Sequence, residues 1–279
     1  MARYLFASRT TTVLTLLAPP ALYMSATFAR LLYQYPASSI HASHPIFLTE
    51  DSARYKQLDA HWFTTRITLR YLRPRSLDAT RDARTPVEVW TAAFFSTPTF
   101  SLEARGCGWL LGRGFTTGDQ ARGGVYVGQR LAHGLFRIVS MDKDGGEGKG
   151  GAEGELSRED QRQRLLGRVI ISFWIPDGMV HVWEVAAARY GLPWRLLSGG
   201  RHCFEILEDE TGSLREGRGE KEEEEYVTVR MGCVADLERV NRVDGREDGK
   251  GLAGWALWLH EMYARWLVDA AVRKLKRDW

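Results

Sequence analysis

The sequence predicts an α+β fold in which an antiparallel sheet of hairpins carries a long amphipathic helix at its C-terminal end. Three observations lead there. Two β-rich runs, "RHCFEILE" (201–208) and "EYVTVRMGCVAD" (225–236), follow one another with only a charged stretch between them. In the second run Val227, Val229, Met231 and Cys233 alternate with Thr228 and Arg230, the period-two pattern of a strand with one buried and one wet face. The closing stretch "GLAGWALWLHEMYARWLVDAAVRKLKRDW" (251–279) instead repeats its apolar residues every three or four positions, as one face of a helix does.

Composition narrows the function classes. The 279 residues are 44% hydrophobic and 26% charged, ordinary for a globular chain. The net charge of +3 is small and the basic residues are interspersed with acids, so the electrostatic footprint of a nucleic-acid binder is missing. Cys107, Cys203 and Cys233 lie far apart with no CxxC pair, which fits neither a disulfide framework nor a zinc module. Each is read as a small apolar group. No G-x-S-x-G, HExxH, P-loop or dinucleotide fingerprint occurs, so these motifs point to no cofactor and no metal.

From the N-terminus, "TTTVLTLLAPPALYMSATFA" (10–29) is twenty residues without a charge, the length that crosses a bilayer core. Pro19 and Pro20 interrupt it. A single-pass membrane anchor, a cleaved signal peptide and a soluble leader compete as readings, and an uninserted segment would leave the chain cytoplasmic. Residues 1–50 are taken as this segment and a linker, and 51–279 as a single domain. "DAHWFTTRITLRYL" (59–72) has the β-branched and aromatic content of a strand. "TPVEVWTAAFFSTPTF" (85–100) opens on Thr85-Pro86, a helix start, and Pro98 is its expected end. The glycines of "GCGWLLGRGF" (106–115) are read as turns, and 134–141 as a strand.

Segments 142–164 and 208–225, with a shorter one at 241–250, are charged, Gly-rich and nearly free of apolar residues; they are expected as disordered insertions. "RVIISFWIPDGMVHVWEVAA" (168–187) is read as a hairpin turning at Pro176-Asp177-Gly178. The final helix carries Trp255, Trp258, Leu259, Met262, Tyr263, Trp266 and Ala270 on one wide face, expected to lie across the sheet.

The runs "HGLFRIVSM", "RVIISFWIPDGMVHVWEVA", "GGRHCFEIL", "YVTVRMGC" and "WALWLHEMYARWLVDAAVRKL" together resemble the helix-grip pattern of the START-like superfamily. That superfamily includes lipid-transfer domains and polyketide cyclases, and the order is similar to that of small fungal members with an N-terminal hydrophobic segment. The resemblance implies a deep apolar pocket between sheet and helix, with activity resting on a few polar groups inside it. The implied function is a cofactor-independent enzyme, such as a cyclase or pericyclase shaping a polyketide or terpenoid in fungal secondary metabolism. The alternative is a membrane-associated lipid or sterol binding or transfer protein. The expected partners are an apolar small molecule and, through the N-terminal segment, a membrane.

Candidate catalytic residues are His181, Glu205 and Arg230. In a strand His181 shares a face with Trp183, and its ordinary pKa suits proton transfer near neutrality. Glu205 aimed into an apolar cavity needs a cation such as Arg230; an exposed cross-strand ion pair is the plainer reading of the two. Trp183, Trp258 and Tyr263 are the candidate substrate-binding residues, with Trp266 placed in the core.

Overall fold

The computed structural model describes residues 22–47, 55–58, 60–73, 84–143, 164–191, 194, 197–209, 225–238 and 252–279. The expected insertions and the hydrophobic segment before residue 22 fall almost wholly outside these residues. The elements are a helix α1 at 22–34, strands β1 (Ala37–Ser39), β2 (Tyr55–Gln57) and β3 (His61–Thr68), and helices α2 (Pro86–Phe95) and α3 (Pro98–Leu110). Then come β4 (Arg130–Leu131), β5 (Phe136–Asp142), β6 (Leu165–Trp174), α4 (Asp177–Tyr190), β7 (Gly199–Glu208), β8 (Tyr226–Glu238) and α5 (Gly254–Asp278).

The strands form one eight-stranded antiparallel sheet in the order β1-β3-β8-β7-β6-β5-β4, with β2 also on β8. The fold is therefore α+β, and the sheet with its C-terminal helix is compatible with a helix-grip arrangement. The predicted pairing of 201–208 with 225–236 is present as β7 on β8, with Cys203 opposite Gly232 and Glu205 opposite Arg230. The helix start at Thr85 is a capping box: the Thr85 amide donates to Glu88 Oε2 at 2.7 Å, and Pro86 opens the helix.

Three local expectations are corrected. Pro98 does not merely end α2; it is the first residue of α3, capped by Thr97, whose hydroxyl accepts from the Phe100 amide at 3.2 Å. Gly106 and Gly108 lie inside α3 rather than at turns. A Cβ on Gly108 would sit 2.6 Å from the His133 ring, so helix contact demands the glycine there. The third concerns 168–187, where only the first half is strand and 177–190 is helical. Both edges of β6 are taken, by β5 and β7, so no hairpin partner can join it. The Pro176 carbonyl accepts instead from the amides of Met179 and Val180, at 2.8 and 3.2 Å, and starts α4.

Alternation along the strands builds two different faces. The helix-covered face turns Phe63, Val169, Ile171, Phe204, Ile206 and Met231 toward α2 and α5, with Trp90 and Phe94 of α2 fully buried between. The outer face carries Trp62, Ile170, Cys203, Glu205 and Val234, covered by the chain at 37–47 through Ile40 and Ile46. Gly232 admits this strap, because a Cβ there would lie 2.6 Å from the Trp62 ring.

The C-terminal helix forms where expected but turns a different side inward. Met262, Ala264, Leu267, Val268, Ala271, Val272 and Leu275 are buried, whereas Trp255, Trp258, Leu259 and Trp266 are substantially exposed. Small residues let α5 approach α2 closely, and the bulky indoles are left on the flank. Part of that flank meets α1, where Phe28 packs edge-on against Trp258 at 5.8 Å between ring centroids.

Residues before the expected domain start at 51 also pack on the sheet and on α5. Leu31, Tyr35 and Ile46 are fully buried, and β1 pairs with β3. Arg30 donates to Asp269 of α5 at 2.8 Å, the Tyr35 hydroxyl donates to the same carboxylate at 3.0 Å, and Arg265 Nε donates to the Tyr35 carbonyl at 3.0 Å. The chain from residue 22 is thus part of the domain. Among the described residues no helix is long and apolar enough to cross a membrane.

Candidate functional site

An apolar cavity of about 540 Å³ opens between the helix-covered face of the sheet and the helices. The sheet contributes Phe136, Phe173, His202 and Met231; α2 and α3 contribute Phe94, Phe100, Glu103 and Cys107; the start of α4 contributes Met179; and α5 contributes His260, Tyr263, Ala264 and Leu267. Its size is that of a pocket for a small organic molecule, and its walls are mostly aromatic. A second groove of about 490 Å³ between α1 and the end of α5 is lined by Arg30, Asp269, Arg273, Lys274 and Arg277, and Asp269 there already pairs with Arg30 and Arg273.

Polar groups enter the apolar cavity at two places. At the mouth the Tyr263 hydroxyl donates to Glu103 in a short hydrogen bond. Glu103 is exposed over much of its surface, yet crowding of its carboxyl group pushes its pKa up, with the Tyr263 bond opposing. Burial and the nearby carboxylate together push the Tyr263 phenol well up. On the floor, His202 and Cys233 are direct neighbours across β7 and β8, and His260 reaches down from α5 to place its Nε2 3.0 Å from Cys233 Sγ.

The floor cluster is neutral at physiological pH. Burial, with His260 adding to it, pulls the His202 pKa down to about 3. Burial also lowers His260 against the pull of Glu261. The Cys233 thiol is pushed up to about 12 by burial and by the Glu261 carboxylate. Both ring nitrogens of His202 are buried without a hydrogen-bond partner, while the ring itself packs against Phe173 at 4.9 Å between centroids. A buried polar atom left unpaired is uncommon and asks for an explanation.

Of the six residues put forward as catalytic or substrate-binding, Tyr263 alone lines this cavity. Glu205 and Arg230 do meet, at 2.7 Å, but on the opposite face of the sheet. Glu205 is fully buried rather than in an exposed pair, because Arg168 at 2.5 Å and His44 at 2.9 Å close on it as well. Arg230 in turn stacks over the Trp62 ring at 4.2 Å. Burial pushes the Glu205 pKa up, and the His44 hydrogen bond with the two guanidinium charges outweighs it, leaving the carboxyl well below the usual carboxylate range. His181 and Trp183 are exposed on α4, away from the cavity, because the segment is helical. Trp258 stands on α5 beside α1 and does not line the cavity.

His260, three residues before Tyr263, is within reach of a pocket mouth by helical spacing, but no sequence motif joins it to His202, Cys233 and Glu103. The signal was present in part: His202 shares a strand face with Phe204, and Cys233 ends the buried series Val227, Val229, Met231. Two polar residues on the buried faces of adjacent strands mark the floor of a site. Trp258→Ala, by contrast, is expected to cost only about 2 kcal/mol, the edge-to-face pair with Phe28 together with the half of the ring that is buried. Thermal denaturation should show that small loss, with cavity binding unchanged. A family-model scan and searches of curated proteins and of solved structures find nothing that matches this chain.

Proposed function

We propose that the protein is an enzyme that takes an apolar small molecule into this cavity and cyclises or isomerises it with little more than shape and one proton-transfer pair. The observation that carries the reading is an aromatic-walled cavity of about 540 Å³ with the Tyr263–Glu103 pair at its mouth. Holding a flexible substrate in a reactive conformer supplies several kcal/mol of the barrier without any covalent step. A polyketide or terpenoid is the substrate class that such walls favour. Membership of the START-like superfamily is part of this proposal, and the sheet with its C-terminal helix supports it.

Tyr263 is the group that touches substrate. With Glu103 ionised, the phenol donates a hydrogen bond to that carboxylate and leaves its oxygen lone pairs free to accept from a substrate hydroxyl. With Glu103 protonated, the carboxyl donates to the phenol oxygen, and Tyr263 turns its own proton to a substrate oxygen. Desolvation of the Glu103 carboxyl raises its pKa from the ordinary value, with the Tyr263 hydrogen bond opposing.

Two variants test the reading in the full chain. Ala264→Phe fills the cavity and should weaken binding of an apolar fluorescent probe more than tenfold, measured well below a melting temperature that overpacking lowers. Tyr263→Phe should keep probe affinity within a small factor but reduce turnover by about 10²–10⁴-fold, the usual worth of a positioned acid–base group. Native mass spectrometry of the purified chain supplies the opposing outcome. A phospholipid or sterol held unchanged, with Tyr263→Phe indistinguishable from the parent, would replace the enzyme by a lipid carrier.

A further inference from the structure

We propose that His202, Cys233 and His260 form a binding site for a zinc(II) ion, with its fourth coordination position open to the apolar cavity. The ligand atoms of the three residues all lie within 4.8 Å of one another, and Cys233 Sγ is 3.0 Å from His260 Nε2. They come from three separate elements, β7, β8 and α5, so the cluster is made by the tertiary fold and not by a local sequence motif. His202 is 8% exposed, and neither of its ring nitrogens has a hydrogen-bond partner. A metal ion would take the lone pair of the unprotonated ring nitrogen, which no described residue satisfies.

The donor set selects the ion. Two imidazoles and a thiolate suit a borderline-soft, tetrahedral cation, whereas magnesium and calcium require oxygen ligands. Three protein ligands with one position left over is the pattern of a zinc site that meets a substrate or water, since structural sites are closed by a fourth residue. His202 and His260 line the cavity, so the vacant position faces it. Binding converts the Cys233 thiol to thiolate and releases one proton to solvent, leaving a net charge of +1 on the ion with its ligands.

A second cluster, His44, Cys203 and Glu205, also brings its ligand atoms within 4.8 Å. It lacks the same vacancy. Glu205 is already held by His44 and by the guanidinium groups of Arg168 and Arg230, and two fixed cations oppose a third. The contrast assigns the metal to the cavity floor alone.

Cobalt(II) is the probe. The full chain, stripped with a chelator and titrated with Co(II), should take up one equivalent and develop both a thiolate-to-cobalt charge-transfer absorption and the intense visible bands of a tetrahedral site. One equivalent of zinc should abolish both. Cys233→Ser should lose the charge-transfer absorption, whereas Cys107→Ser should keep it. Should Cys233→Ser fail to fold, His260→Gln on the partly exposed side of the cluster reads the same loss. A parent protein without the charge-transfer absorption, or an absorption unchanged in Cys233→Ser and His260→Gln, would overturn the site. Apolar-probe binding by the stripped protein is measured alongside. It reports on the cavity independently, so failure of the metal site and failure of the small-molecule reading are separate results.

Discussion

Glu205→Gln is expected to destabilise the protein by about 3–5 kcal/mol, the cost of leaving buried charge without its partner. Glu205 is fully buried and accepts from Arg230, Arg168 and His44. The amide keeps the volume and some hydrogen bonding but removes the negative charge that Arg168 and Arg230, both largely buried, share. Urea unfolding of parent and variant at neutral pH measures the difference. The pH dependence follows in sign. A carboxyl whose folded-state pKa is depressed contributes its stability above its unfolded value and loses it as pH falls toward the folded one. The gap between parent and Glu205→Gln should therefore be constant near neutrality and narrow once pH drops below the ordinary carboxylate value of about 4. A gap under about 1 kcal/mol at pH 7 would mean that the pair behaves like a surface salt bridge. Replacing Glu205, Arg168 and Arg230 together by apolar residues should recover much of the loss, as buried ion networks often do.

A chain beginning at residue 51 is expected not to fold cooperatively. It lacks Leu31, Tyr35 and Ile46, all fully buried, and truncating a single side chain of that kind costs about 2–5 kcal/mol. Three such losses reach the whole stability of a typical domain, about 5–15 kcal/mol. Two buried carboxylates are stripped of partners as well: Asp269 loses Arg30 and Tyr35, and Glu205 loses His44. A start at residue 22 keeps all of these groups and should melt with one sharp transition. Calorimetry on the two chains decides the matter, and a cooperative transition for the shorter one would show that α1 and the strap are accessory.

Much of the sheet was legible because its cue is local. Val227, Val229, Met231 and Cys233 announce β8 by alternation alone, and Thr85-Pro86 with Glu88 announces α2 by its cap. The segment after Pro176 was not. Val180, Val182 and Val185 are as good in a strand as the residues before the proline, and what makes them helical is that β6 has no free edge, a fact about distant strands. The same holds for α5. Its indoles and its aliphatic residues each form a stripe at helical spacing, and only the position of α2 decides which stripe is buried.

At the site, the pairing of Glu205 with Arg230 could be foreseen from neighbouring strands, but not the face on which the cavity opens. The role of residues 22–47 was hidden for a different reason. An uncharged stretch up to Ala29 has the composition of an anchor, and burial of Leu31 and Tyr35 against α5 depends on a helix more than two hundred residues away.

The sheet's order has a consequence for how the chain is made. β3 pairs along its whole length with β8, from His61 opposite Cys233 to Thr68 opposite Tyr226, so strands from opposite ends of the sequence are neighbours. On the ribosome, the edge of β3 that β8 will take waits unpaired until the chain through β8 has been synthesised. Local helices such as α2 can form in that interval, but the central register cannot close. That register therefore closes late, and the high sequence separation of its contacts slows folding relative to a helical protein of similar size. The exposed strand of the nascent chain is, for the same interval, a surface on which another copy could pair, and the cell must keep such copies apart.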